Sequence, residues 1–107
     1  MSGFEEKRKL PRVDVQWPVT MITKRRAVDG EVRNITTEGV YVHCTEDLAL
    51  NEIYRLMIGS PGGTIDVMGR VIWSNLDILP GSGFCFVEVS EKDRELLQEA
   101  IQMYGEK

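Results

Sequence analysis

The chain has 107 residues, 42% hydrophobic and 28% charged, which suits one globular domain with one modest core and excludes wholesale disorder. No apolar run approaches the ~20 residues that cross a bilayer, and no apolar stretch follows the charged N-terminus, so insertion and secretion are excluded and a cytoplasmic protein is expected. The net charge of −4 is uneven: residues 1–33 hold eight of the thirteen Lys and Arg against five acids, leaving +3 there and −7 on the remainder, a balance that argues against DNA or RNA polymers and suits a small anion on a basic patch.

In chain order, residues 1–12 read as a flexible basic arm ahead of a domain spanning 13–107. Val13, Val15, Trp17, Val19 and Met21 alternate with polar neighbours, the period-two pattern of a strand with one face in a core. Pro18 lacks an amide donor, which predicts an edge position or a bulge. A break is expected at Lys24–Gly30, then a second strand at Glu31–Ile35. Gly39–Cys44 reads as a third strand, with Val40, Val42 and Cys44 on one face. Asn51–Ile58 is the fourth, closed by the turn-forming run Gly59-Ser60-Pro61-Gly62-Gly63. Thr64–Trp73 is the fifth, with Ile65, Val67, Val71 and Trp73 in register. A loop at Ser74–Gly81 leads to a sixth strand at Gly83–Val89. Ser90 followed by Asp93 then opens a helix, and Leu96, Leu97, Ala100, Ile101 and Tyr104 recur at helical spacing to about residue 104. The expectation is an all-β, six-stranded antiparallel barrel of split or Greek-key type with one C-terminal amphipathic helix. Cys44 and Cys85 lie in apolar segments without CxxC spacing, so both are expected as thiols in core positions and not as a disulfide.

Two local patterns carry chemistry. Arg8-Lys9-Leu10-Pro11-Arg12 places two arginines four apart just before the first strand, where Pro11 favours an extended arm over a helix. Asn34-Ile35-Thr36-Thr37-Glu38-Gly39 connects the second and third strands. A guanidinium bonds phosphate or a guanine Hoogsteen edge bidentately and stacks on bases. The Asn34 amide and Thr36 hydroxyl can read the polar edge of a purine, and Gly39 allows positive φ or close approach to a ligand. The Asn-x-Thr-x-x-Gly element is also what a turn bonding its own backbone would contain. By themselves these residues describe a guanine-friendly anion site.

Catalysis is not expected. His43 is the only histidine, and adjacent strand residues face opposite ways, so His43 and Cys44 do not form a nucleophile–base pair. No set of residues has metal-ligand spacing, and no cofactor is called for.

The order and placement of the two patterns resemble the PilZ domain family, whose signature is Arg-x-x-x-Arg followed by (Asp/Asn)-x-Ser-x-x-Gly. Arg8 and Arg12 match the first element, and Asn34, Thr36 and Gly39 the second. Gly69-Arg70-Val71-Ile72-Trp73 and Gly81-Ser82-Gly83-Phe84-Cys85-Phe86 are similar to the family's fifth- and sixth-strand motifs. The resemblance covers Lys7 to Met103. It implies a bacterial receptor for the second messenger cyclic di-GMP. Arg8 and Arg12 would clamp the ligand, with Lys7 and Lys9 adding charge. Asn34 and Thr36 would read a guanine edge, and Gly39 would permit the turn. Thr36 stands where serine is usual, which keeps the hydroxyl but adds a methyl and a stiffer χ1. No effector domain is attached in this reading, so the signal would leave through a downstream protein or a homodimer. The alternative is a PilZ-like interaction adaptor that binds no nucleotide.

Overall fold

The computed structural model describes residues 12–75 and 80–105. Six strands, β1 (Val13–Ile22), β2 (Ala27–Ile35), β3 (Gly39–His43), β4 (Ile53–Ser60), β5 (Gly63–Asn75) and β6 (Gly81–Glu88), are followed by helix α1 (Glu91–Gly105). The strands pair antiparallel into a closed barrel in the order β1-β2-β3-β6-β5-β4. The segment between β3 and β4 therefore crosses from one side of the barrel to the other.

Alternation places the core. The paired row Val13, Ile35, Val40, Phe84 and Val71 runs across five strands, and every member is buried. Each such side chain contributes roughly 1.5–3 kcal/mol on leaving water. Trp17, Val19 and Met21 continue the inner face of β1. The strand is interrupted by an irregularity between Asp14 and Trp17, the bulge anticipated beside Pro18. The β1–β4 ladder begins at Val19, so Pro18 is not asked for an amide on that side.

Several boundaries differ from expectation, among them the end of β5, which runs on to Asn75 where a loop was expected from Ser74. The break before the second strand is only the turn around Thr23–Arg26, because Thr23 Oγ1 accepts the amides of Arg25 and Arg26 at 3.2 and 3.3 Å and closes a tight hairpin. β2 thus begins at Ala27, and Gly30 lies within it. A Cβ on Gly30 would come within 2.8 Å of Val42 Cγ1 and 2.9 Å of the His43 carbonyl oxygen, so this glycine serves close packing and not a loop. β4 begins at Ile53, since Asn51 takes a left-handed φ of 71° that asparagine tolerates. β6 begins at Gly81, two residues earlier than its pattern indicated.

Two side chains expected inside are outside. Cys85 follows the buried Phe84 on β6 and so points to solvent, whereas Cys44 is buried; both are free thiols. Trp73 is turned outward by a bulge between Val71 and Trp73, where two β5 steps oppose one β6 step, from Phe84 to Gly83.

The helix packs against β1 and β5 of the barrel. Leu97, Ala100 and Ile101 are buried, and Tyr104 meets Trp17 edge-on at 5.8 Å. Ser90 caps the helix, its Oγ accepting the Asp93 amide at 3.1 Å and donating to Asp93 Oδ2 at 2.6 Å. Asp93 Oδ1 in turn accepts the Asp66 amide of β5 at 3.0 Å. β6 pairs with β5 only from Met68 onward, so Asp93 satisfies a strand amide that β6 no longer reaches. Elsewhere, the buried Tyr54 hydroxyl donates to Glu52 Oε1 at 2.9 Å and accepts from Arg26 Nη2 at 3.2 Å. Burial pushes the phenol above its ordinary pKa.

Candidate functional site

The outward row next to the core row holds the site. Asp14, Asn34, Tyr41, Gly83 and Trp73 are consecutive partners across β1, β2, β3, β6 and β5. Tyr41 and Trp73 are two strands apart, about 9.6 Å by strand spacing, yet their rings stack at 5.3 Å with planes 24° apart. Gly83 makes this possible. Between them it carries no side chain, and a Cβ there would overlap the Trp73 indole.

At the end of this row, the β2–β3 turn is built by Thr36. Its amide donates to the Gly39 carbonyl at 2.9 Å, and its Oγ1 accepts the amides of Glu38 and Gly39 at 3.0 and 3.1 Å. Both lone pairs are thus occupied, and the proton is directed at the Gly39 carbonyl 3.4 Å away, so the hydroxyl is spent on the turn. Thr36 is a turn-former first, which its pattern also allowed. Gly39 has no positive φ; it is needed because a Cβ would run into the Phe84 carbonyl of β6. Its role is close approach between strands, not conformational freedom. The Phe86 amide donates to the Glu38 carbonyl at 2.8 Å and locks the turn onto β6.

A concave pocket of about 660 Å³ brings Arg12, Asn34, Thr36, Gly39, Tyr41 and Trp73 together, within the size range of small-molecule sites. Glu38, Ile72 and Cys85 also line it. Arg12 enters just ahead of β1, and its nearest carboxylate, Asp14, is 3.9 Å away with both side chains largely exposed, at 65% and 80%. Such a pair contributes little, so among the described residues no strong partner competes with a ligand phosphate for the guanidinium. Arg8, Lys7 and Lys9 lie outside the described residues. Asn34 is half-buried on the pocket face.

Sequence reasoning missed Tyr41 and assigned Trp73 to the wrong face. Tyr41 was visible as the aromatic residue in the outward phase of Val40-Tyr41-Val42. Trp73 was not, because a bulge resets its phase. Among the described residues no group of three or more His, Cys, Asp or Glu side chains could hold a metal ion. His43 Nδ1 lies 2.9 Å from the Pro80 carbonyl oxygen, while Cys44 faces the core.

The family described as PilZ domain matches residues 6–102. The chain belongs to the PilZ family. PilZ domains are ligand-binding receptor or adaptor domains, and no catalytic family is matched. Among solved structures, the PilZ domain with c-di-GMP of YcgR from Escherichia coli aligns with a TM-score of 0.74 and 13% identity, over 92% of this chain and 91% of that one. The Bacillus subtilis inhibitor of motility, MotI/DgrA, gives 0.71 and 19% identity over 91% of this chain. This chain spans only 50% of that protein's length. The PilZ domain of CeSA from a cellulose synthesizing bacterium gives 0.66 and 14% identity, over 86% and 95% of the two chains. At these identities the likeness establishes the fold. No curated protein matches the chain. No helix among the described residues is long and apolar enough to cross a membrane.

Proposed function

We propose that this PilZ domain is a receptor for cyclic di-GMP that closes its N-terminal arm over the ligand and passes the signal to a partner protein in the bacterial cytoplasm. The observation that carries the reading is the gathering of Arg12, Asn34 and Thr36 beside the stacked Tyr41–Trp73 pair on one concave surface. An arginine takes phosphate, an amide addresses a base edge, as does the Thr36 hydroxyl once it exchanges its long 3.4 Å bond to the Gly39 carbonyl for one to the ligand, and an aromatic face accepts a base plane. Arg8 is four residues from Arg12, so even a fully extended chain keeps the two within about 14 Å. Lys7 and Lys9 add positive charge beside them. The c-di-GMP bound by the PilZ domain of YcgR supports the choice of ligand.

Isothermal titration with cyclic di-GMP tests this directly. Saturable binding is expected, and Arg8→Ala and Arg12→Ala each cost on the order of 1–3 kcal/mol, by analogy with bidentate guanine contacts. Absence of heat at tens of micromolar protein would sink the receptor reading and leave an adaptor that binds no nucleotide. Amide exchange in residues 5–12 that stays fast with ligand bound would refute closure of the arm.

A further inference from the structure

Within the pocket, one side chain differs in kind from the rest. Glu38 is exposed, sits on the pocket wall with Arg12, Asn34 and Trp73, and among the described residues has no ion-pair partner. Its backbone is fixed at both ends: the amide donates to Thr36 Oγ1 at 3.0 Å, and the carbonyl accepts from Phe86 at 2.8 Å. Gly39, the next residue, is wedged against the Phe84 carbonyl. The carboxylate is therefore carried on a rigid turn at the mouth of a site that also presents a cation.

A ligand phosphate placed against Glu38 would meet like charge, so Arg12 marks the phosphate side and Glu38 a different part of the ligand. The hydrogen-bonding character of the pocket then becomes selective. Asn34 offers donors and an acceptor and can pair with either purine edge. Thr36 spends its hydroxyl on the turn, accepting from Glu38 and Gly39 and donating to the Gly39 carbonyl at 3.4 Å, and so does not choose between purines. Glu38 alone is acceptor-only. Two adjacent donors satisfy a carboxylate bidentately, and guanine has them in N1–H and the N2 amino group. Adenine presents one amino donor beside N1, an acceptor, which the carboxylate repels.

We infer that Glu38 is a specificity-determining residue: its carboxylate accepts the N1–H and N2–H of one ligand guanine and rejects adenine at that position. The assignment rests on the receptor reading above and adds to it the selection of one purine over the other. Arg12 holds phosphate irrespective of base, and Tyr41 and Trp73 stack on any base, so discrimination falls to the acceptor-only group.

The test is titration of the full chain and of Glu38→Gln with cyclic di-GMP and with cyclic di-AMP. Gln keeps size and backbone bonds but replaces one acceptor with a donor, and an unchanged thermal melt verifies the fold. The expected result is a roughly tenfold weaker cyclic di-GMP complex with cyclic di-AMP binding unchanged or tighter, so that the preference narrows by at least that factor. Equal affinities in wild type and variant would overturn the assignment, as would equal losses for both ligands or tighter cyclic di-GMP binding by the variant. A wild-type chain that binds no cyclic di-GMP would overturn the receptor reading itself. That outcome is distinct, because the first three presuppose binding.

Discussion

Gly39 and Gly83 both lie opposite neighbours that a methyl group would strike, but the neighbours differ in what they can do. At Gly39 the obstacle is the Phe84 carbonyl, part of the β3–β6 ladder. Backbone cannot turn aside, so Gly39→Ala must part the strands or distort the turn, and overpacking of this kind costs about 2–3 kcal/mol. At Gly83 the obstacle is the Trp73 indole, which is 42% exposed and can rotate into solvent. Losing the Tyr41–Trp73 stack forfeits about 0.5–1.5 kcal/mol, while exchanging glycine for alanine recovers about 0.4–1 kcal/mol through the unfolded chain. Gly83→Ala should therefore remain within about 1 kcal/mol of wild type while Gly39→Ala falls well below it. Urea denaturation followed by far-UV circular dichroism measures both. Trp73 emission should shift to the red in Gly83→Ala, since the indole leaves its partner, and cyclic di-GMP affinity should fall. If Gly83→Ala lost as much stability as Gly39→Ala, the view of Trp73 as a movable wall on a fixed barrel would be wrong.

Three further outcomes follow from contacts elsewhere. Tyr54→Phe strips the hydroxyl from between Arg26 and Glu52 and should cost about 1–2 kcal/mol in chemical denaturation, with no change at the pocket. Asp93→Ala removes the acceptor for both the Ser90 hydroxyl and the Asp66 amide. A loss of about 1–2 kcal/mol is expected, with early melting of the helical signal. Arg55 bonds Asp66 bidentately at 3.0 and 2.7 Å and holds its carboxyl below the ordinary value. The unfolded chain then takes up the proton first as pH falls, so the pair's contribution is complete above about pH 4 and disappears as pH drops through the lowered folded value. Both side chains are substantially exposed, so acid titration of Asp66→Asn against wild type should differ by under about 1 kcal/mol.

Much of the barrel was legible because alternation is a direct imprint of the pleat. Val40, Val42 and Cys44, or Ile65 and Val67, could hardly face any way but inward. What alternation does not record is an inserted residue. The bulge at Ile72 moved Trp73 from the core to the pocket wall, and the irregularity around Arg33 is equally silent in the residue pattern. Gly30 read as punctuation because glycine is usually that; only its neighbours Val42 and Met21 reveal it as packing. Cys85 was misplaced by composition, since Phe84, Cys85 and Phe86 are all apolar and the run does not say which is odd. In the candidate site, order and spacing singled out Arg12, Asn34 and Thr36, which line one pocket. The double engagement of the Thr36 hydroxyl and the Tyr41–Trp73 stack depend on distances across strands that no single segment encodes.

The bond from the Asp66 amide to Asp93 also constrains what a binding partner could do to the helix. Among the described residues, β5 is a free sheet edge where β6 has ended except for what α1 supplies, and β1 from Val13 to Pro18 likewise pairs on one side only. A partner that drew the helix away would bare backbone groups that readily pair with another chain. It would have to offer a strand or a polar cap of its own in exchange. The helix is thus a stopper as well as a surface, and while it stays seated one molecule is not invited to continue the sheet of the next.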